Sequence, residues 1–129
     1  MKIEDFFNQQ NVIELSFFNF ENAITAAYFA RENLEIVRVN DNFRKFFPVL
    51  GNVSNAYFPD VLVQLGVSVE QVEQFVRDIN EKGWVLIPKV PINMDGKEKI
   101  YSLLSTRTRN DSFSYLNGVQ GQFVDRTEE

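Results

Sequence analysis

Asp95-Gly96 lies between two long strand-like runs, Trp84 to Ile92 and Lys99 to Thr108. Met94-Asp95-Gly96 is a tight-hairpin signal, and a turn that short joins antiparallel neighbours. A third run, Ser114 to Val124, follows a polar turn at Asn110-Asp111-Ser112 and extends the same sheet. Upstream, Ala23 to Phe29 and Leu34 to Val39 flank the polar turn Arg31-Glu32-Asn33, which predicts another hairpin.

Helical spacing fills the remainder. Ile3, Phe6 and Phe7 predict a short helix, and the Val12 to Phe20 run a second one or its continuation. Asp41 is a good N-cap for a helix carrying Phe43, Phe46 and Phe47, which Pro48 ends. Tyr57 to Leu65 holds a short helix entered at Pro59-Asp60. Ser68 opens a longer one, with Gln71 completing a capping box and Val69, Val72, Phe75, Val76 and Ile79 as its apolar face. Gly83 closes that helix. The order predicts an α+β fold: one five-stranded antiparallel sheet with helices on one face and an N-terminal helical extension. Val119, Gly121 and Phe123 alternate with Gln120, Gln122 and Val124, so the first set is expected to face the helices and any cavity. Gly118 and Gly121 inside a strand predict a bend or a close backbone approach.

A length of 129 residues suits one domain with its own core. The chain contains no cysteine and no histidine. That excludes a thiol nucleophile, a thiolate metal site and imidazole base chemistry. The carboxylate pairs Glu4-Asp5, Glu32 with Glu35, and Glu70 with Glu73 fall on turns or polar helix faces and read as solvated charge. No catalytic residue and no metal ligand set emerges. Thirteen Lys and Arg are scattered under a net charge of −5, which argues against nucleic acid and anionic membrane as partners. No apolar run reaches the ~20 residues of a membrane span, and Met1-Lys2-Ile3-Glu4-Asp5 has no leader pattern; a cytoplasmic location is expected. Phe is over-used, at thirteen copies. These rings either make a Phe-rich core or line a cavity for an apolar or aromatic ligand.

Three segments in order, "ENLEIVRVNDNFRKFF", "MDGKEKIYSLLSTR" and "GVQGQFVDRTEE", together resemble the PAS domain, the sensory module of bacterial signalling proteins. "ENLEIVRVNDNFRKFF", Glu32 to Phe47, is similar to that family's first hairpin, with a strand ending in Asn40 and a helix bearing spaced aromatics. "MDGKEKIYSLLSTR", Met94 to Arg107, is similar to its Asp-Gly hairpin. "GVQGQFVDRTEE", Gly118 to Glu129, resembles its last strand and closing Asp-x-Thr-Glu motif. The chain departs from the pattern at Arg31, where Asp is frequent, and at Pro48, where Gly is frequent.

The resemblance implies residues 23–129 as a PAS-like sensory domain and residues 1–22 as a helical cap or dimerisation segment. It implies a non-catalytic input module whose exit, Asp125, Arg126, Thr127 and Glu128, leads into a histidine kinase, a GGDEF-type diguanylate cyclase or another output domain. Thr127 or Asp125 would cap the exit helix, and Arg126 would pair with Asp125 or with a carboxylate of the first hairpin. Ligand-pocket candidates are Val39, Phe43, Phe46, Leu62, Phe75, Trp84, Leu103 and Phe123. Dimer-contact candidates are Phe6, Phe7, Phe17 and Phe18, with the outer sheet face. Flavin photosensors of the family need an adduct-forming Cys and often place Gln where Phe123 stands, and haem-binding members generally use His. Neither FMN nor haem is therefore expected. Two alternatives stand beside the sensory module: a small cone-fold enzyme or carrier resembling the NTF2-like proteins, and a ligand-free dimerisation module.

Overall fold

The structure is a computed structural model, and it describes residues 25–108 and 117–126. The expected helices before residue 23, the Asn110 to Ser112 turn, Thr127 and Glu128 lie outside the described residues, as do Phe6, Phe7, Phe17 and Phe18.

Strands β1 (Ala26–Ala30) and β2 (Ile36–Val39) lead into helix α1 (Asp41–Phe46) and a 3₁₀ turn at Pro48–Leu50. Helices α2 (Phe58–Gln64) and α3 (Val69–Glu81) follow, then β3 (Trp84–Met94), β4 (Lys97–Thr108) and β5 (Gly118–Asp125). The strands form one antiparallel sheet in the order β2-β1-β5-β4-β3. The last strand thus fills the centre, between the first strand and the β3–β4 hairpin. That hairpin turns as its sequence predicts: Asp95 and Gly96 both have positive φ (54° and 79°), as a two-residue type I′ turn requires.

Two bulges set which side chains face inward. Between β1 and β2 the register slips at Phe29/Ala30. Ile36 and Val39, three residues apart, are therefore both buried, while Val37 is exposed. Between Ile87 and Val90 the register slips again, which keeps Val85, Ile87, Val90 and Ile92 all on the buried face. The carbonyls at this second bulge are taken up from both sides. Ser102 Oγ donates to the Pro88 carbonyl at 2.8 Å, and Gln71 Nε2 to the Lys89 carbonyl at 2.8 Å.

Gln71 therefore does not close a reciprocal capping box. Its N–H does bond the Ser68 hydroxyl at 3.3 Å, so Ser68 is the N-cap of α3, but its side chain is spent on the sheet. Val69, the first residue of the helix, is 66% exposed rather than part of the buried face. Val72, Phe75, Val76 and Ile79 do pack on the core. Gly83, with φ of 81°, ends the helix by donating to the Asp78 and Ile79 carbonyls.

The N-cap of α1 is Asn40, not Asp41. Asn40 is the residue at which the strand must become a helix. Its backbone N–H still bonds the Ala27 carbonyl at 3.0 Å, as a ladder residue would, but its carbonyl has turned to accept from Phe43 N. The side chain replaces the missing ladder acceptor: Oδ1 accepts from Ala27 N at 3.0 Å and from Phe43 N at 2.9 Å. Nδ2 donates to the Thr25 carbonyl at 2.9 Å. Asp41 is left in the first helical turn, paired with Arg44 at 2.8 Å on the surface.

Candidate functional site

The candidate pocket residues converge, with one exception, between the sheet and the helices. Alternation along β5 runs as expected: Val119 and Phe123 are buried, whereas Gln120 is exposed. Phe123 sits at the middle of an aromatic cluster, 4.9 Å from Phe47 and 6.2 Å from each of Phe43, Phe58 and Tyr101 by ring centroid. Phe58 joins Phe75 at 5.1 Å and stacks on Tyr28 at 3.9 Å. Val39, Leu62 and Leu103 belong to the same buried cluster, and Phe46 packs on its margin, half-buried and 5.8 Å from Tyr101.

Trp84 does not belong to it. It pairs with Thr106 at the start of β3 and is 50% exposed on the outer face, because Val85 takes the inward position. Its ring carries Lys82 Nζ 5.6 Å above its centre. Trp84→Ala is accordingly expected to change stability by less than about 1 kcal/mol, where truncation of a buried aromatic costs about 3–5 kcal/mol; chemical denaturation distinguishes the two.

Sequence reasoning missed Phe47, Phe58, Tyr101 and Tyr28 as members of the cluster. Tyr101 was within reach, since it shares the parity of Leu103 on β4. Phe47 has the expected i+4 spacing from Phe43 but was not among the pocket candidates, and Phe58 lies at a helix start, outside any periodic run.

Apart from Trp84, the pocket candidates pack together in one buried cluster, with Phe46 against it. Among the described residues a groove of about 110 Å³ lies between β2 and residues 51–54, lined by the candidate Val39 together with Arg38, Arg44, Asn52 and Ser54 among others. No group of three or more His, Cys, Asp or Glu able to hold a metal ion occurs among the described residues. No described helix is long and apolar enough to cross a membrane.

The exit is tied to the sheet through its backbone and one side chain. Arg126 N–H bonds the Ile100 carbonyl at 2.7 Å, and Arg126 Nε donates to Ser102 Oγ at 3.1 Å. Since the Ser102 hydroxyl in turn donates to the Pro88 carbonyl at the bulge, a hydrogen-bonded line runs from the end of β5 across β4 to β3. Asp125 is exposed and stands opposite Tyr101. Burial first, and then the Asp125 charge, push the Tyr101 phenol above its ordinary pKa; burial does the same more strongly to Tyr28. A phenol whose folded-state pKa is raised contributes stability that is intact below the unfolded value and lost as pH climbs past it. Unfolding midpoints should therefore fall as pH rises above 10, the ordinary tyrosine value. Denaturation at stepped alkaline pH checks this, with Tyr101→Phe flattening part of the decline.

The architecture has clear structural relatives. The PAS domain of Bordetella pertussis BvgS superposes with a TM-score of 0.65 at 15% identity, covering 95% of this chain and 90% of that one. The PAS domain of nitrogen regulation protein NR(II) from Vibrio parahaemolyticus gives 0.56 at 14% identity, over 86% and 97%. That of the fruit-fly ELK potassium channel gives 0.64 at 12%, over 90% and 98%. This chain has the PAS fold. No protein-family model and no curated protein matches its sequence. Those PAS relatives come from proteins as different as a nitrogen regulator and an ion channel, so the fold alone does not specify an output.

Proposed function

We propose that this chain is a sensory input module of a multidomain signalling protein, with no catalysis of its own. The observation that carries the reading is the wiring of its exit. The end of the central strand, Asp125-Arg126, is bonded to β4 at Ile100 and Ser102 and through Ser102 to β3. A shift of the outer strands is thereby delivered to the point where the chain leaves the sheet. A partly buried polar link of this kind is worth ~1 kcal/mol, strong enough to bias a two-state output and weak enough to be switched. The output domain follows Glu129, a histidine kinase or a GGDEF-type cyclase in this reading, and the module works in the cytoplasm.

The module pairs with a second copy through the outer face of its sheet, aided by residues 1–22. Leu86 and Leu104 stand directly opposite each other on that face, 47% and 37% exposed, beside Trp84. Such an apolar patch on a sheet surface marks a contact. Leu104→Lys should convert a dimer to a monomer in sedimentation at tens of micromolar, with little loss of melting temperature. A wild-type monomer under the same conditions contradicts the pairing.

The sensory reading is tested by the response of the output. Arg126→Ala should leave the domain folded and change the regulated activity. Regulation that stays as in wild type counts against it.

A further inference from the structure

Tyr28 leaves β1 on the inner face, where its register partner on β5 is Gly121 and the next strand brings Ser105. The phenol ring crosses over Gly121, and its oxygen lies 2.6 Å from Ser105 Oγ. Only glycine permits this. A Cβ at Gly121 would collide with Ser105 Oγ and with the Tyr28 ring, whose Cζ would stand 2.7 Å away. On the opposite side the Phe58 ring stacks at 3.9 Å and 17°. Tyr28 and Ser105 are both fully buried.

An apolar core has no need of this pair. Phe and Ala would occupy the same positions without burying two hydroxyls that each require a partner. The arrangement has the parts of a small-molecule site: an aromatic lid, a floor cleared of side chain, and a hydroxyl at the far end to fix orientation. Burial keeps the phenol neutral, as a hydroxyl shared with serine requires.

We propose that this frame of Phe58, Gly121 and Ser105 is a phenol-binding site permanently filled by the chain's own Tyr28. The proposal is independent of the exit wiring on which the sensory reading rests, and it concerns only what fills the core of the same domain. It makes the occupant a built-in side chain, so free phenols find the site closed in the wild type. Its test reads binding to the 129-residue chain alone, so its failure leaves the output experiment untouched.

The probe is p-cresol, the side chain of tyrosine as a free molecule. Millimolar p-cresol should leave the wild-type melting temperature and Tyr28 ring resonances unchanged. Tyr28→Gly should melt lower and be restored toward wild type by p-cresol in a saturable manner. Should that variant be unfolded alone, p-cresol should refold it. Ser105→Ala in the Tyr28→Gly background should weaken the rescue roughly two- to tenfold, as loss of one neutral hydrogen bond does. Gly121→Ala in that background should abolish it. Displacement of Tyr28 by p-cresol in the wild type overturns the proposal. So does a Tyr28→Gly chain that p-cresol neither stabilises nor refolds, or a rescue indifferent to Ser105.

Discussion

Phe123→Ala should remove about 3–5 kcal/mol of stability, the range for deleting a fully buried aromatic ring. Phe123 has no solvent exposure and its ring meets those of Phe43, Phe47, Phe58 and Tyr101. Four neighbours drawn from two helices, a helix end and a strand cannot all collapse into the space it leaves. They are held by backbones that other contacts fix. A domain of this size loses roughly 3–5 °C of melting temperature per kcal/mol, so a fall of roughly 10–20 °C is expected. Phe123→Leu, which keeps most of the volume, should cost about 1–2 kcal/mol. Calorimetry of both variants checks the ordering. Equal, small losses would mean that the cluster has open space beside Phe123 and that its residues do line a cavity.

Asn40→Ala carries the second large effect, about 3 kcal/mol. The amide oxygen serves Ala27 N and Phe43 N, and the amide nitrogen serves the Thr25 carbonyl. Loss of the cap costs about 1 kcal/mol. Leaving the Ala27 N–H buried with no acceptor adds about 1–3 kcal/mol. Asp41→Ala, by contrast, removes only an exposed pair with Arg44 and should stay within about 0.5 kcal/mol. Urea titration of the two variants separates them. If Asp41→Ala proves the more damaging, Asn40 is not the joint between strand and helix.

These two positions also show how far the sequence was legible. Phe123 followed from strand period alone, because β5 is regular and its neighbours in register are antiparallel throughout. Trp84 was misplaced because apolar character was taken for inward direction at the first residue of β3, where Val85 has the inward parity. Asn40 and Asp41 are both capping residues in succession. Which of them caps depends on which carbonyl stops serving the sheet, and that is a property of the pairing with β1. The spacing of three between Ile36 and Val39 comes from a bulge that no local pattern announces. Tyr28 eluded the sequence for another reason: its role depends on an empty floor at Gly121, 93 residues away, and a hydroxyl at Ser105. Close approach at Gly121 was expected; what approaches it was not readable from either strand.

The most direct test of the sensory account compares two readouts on one pair of variants. Asp125→Ala and Arg126→Ala change an exposed strand end, so each should melt within roughly 3 °C of wild type as the isolated domain. In the full-length protein, where an output domain is proposed to follow Glu129, both should uncouple or lock the downstream activity. A population shift of a few kcal/mol is sufficient for that. Domains that melt like wild type while the output remains regulated as before would contradict the claim that this strand end carries the signal.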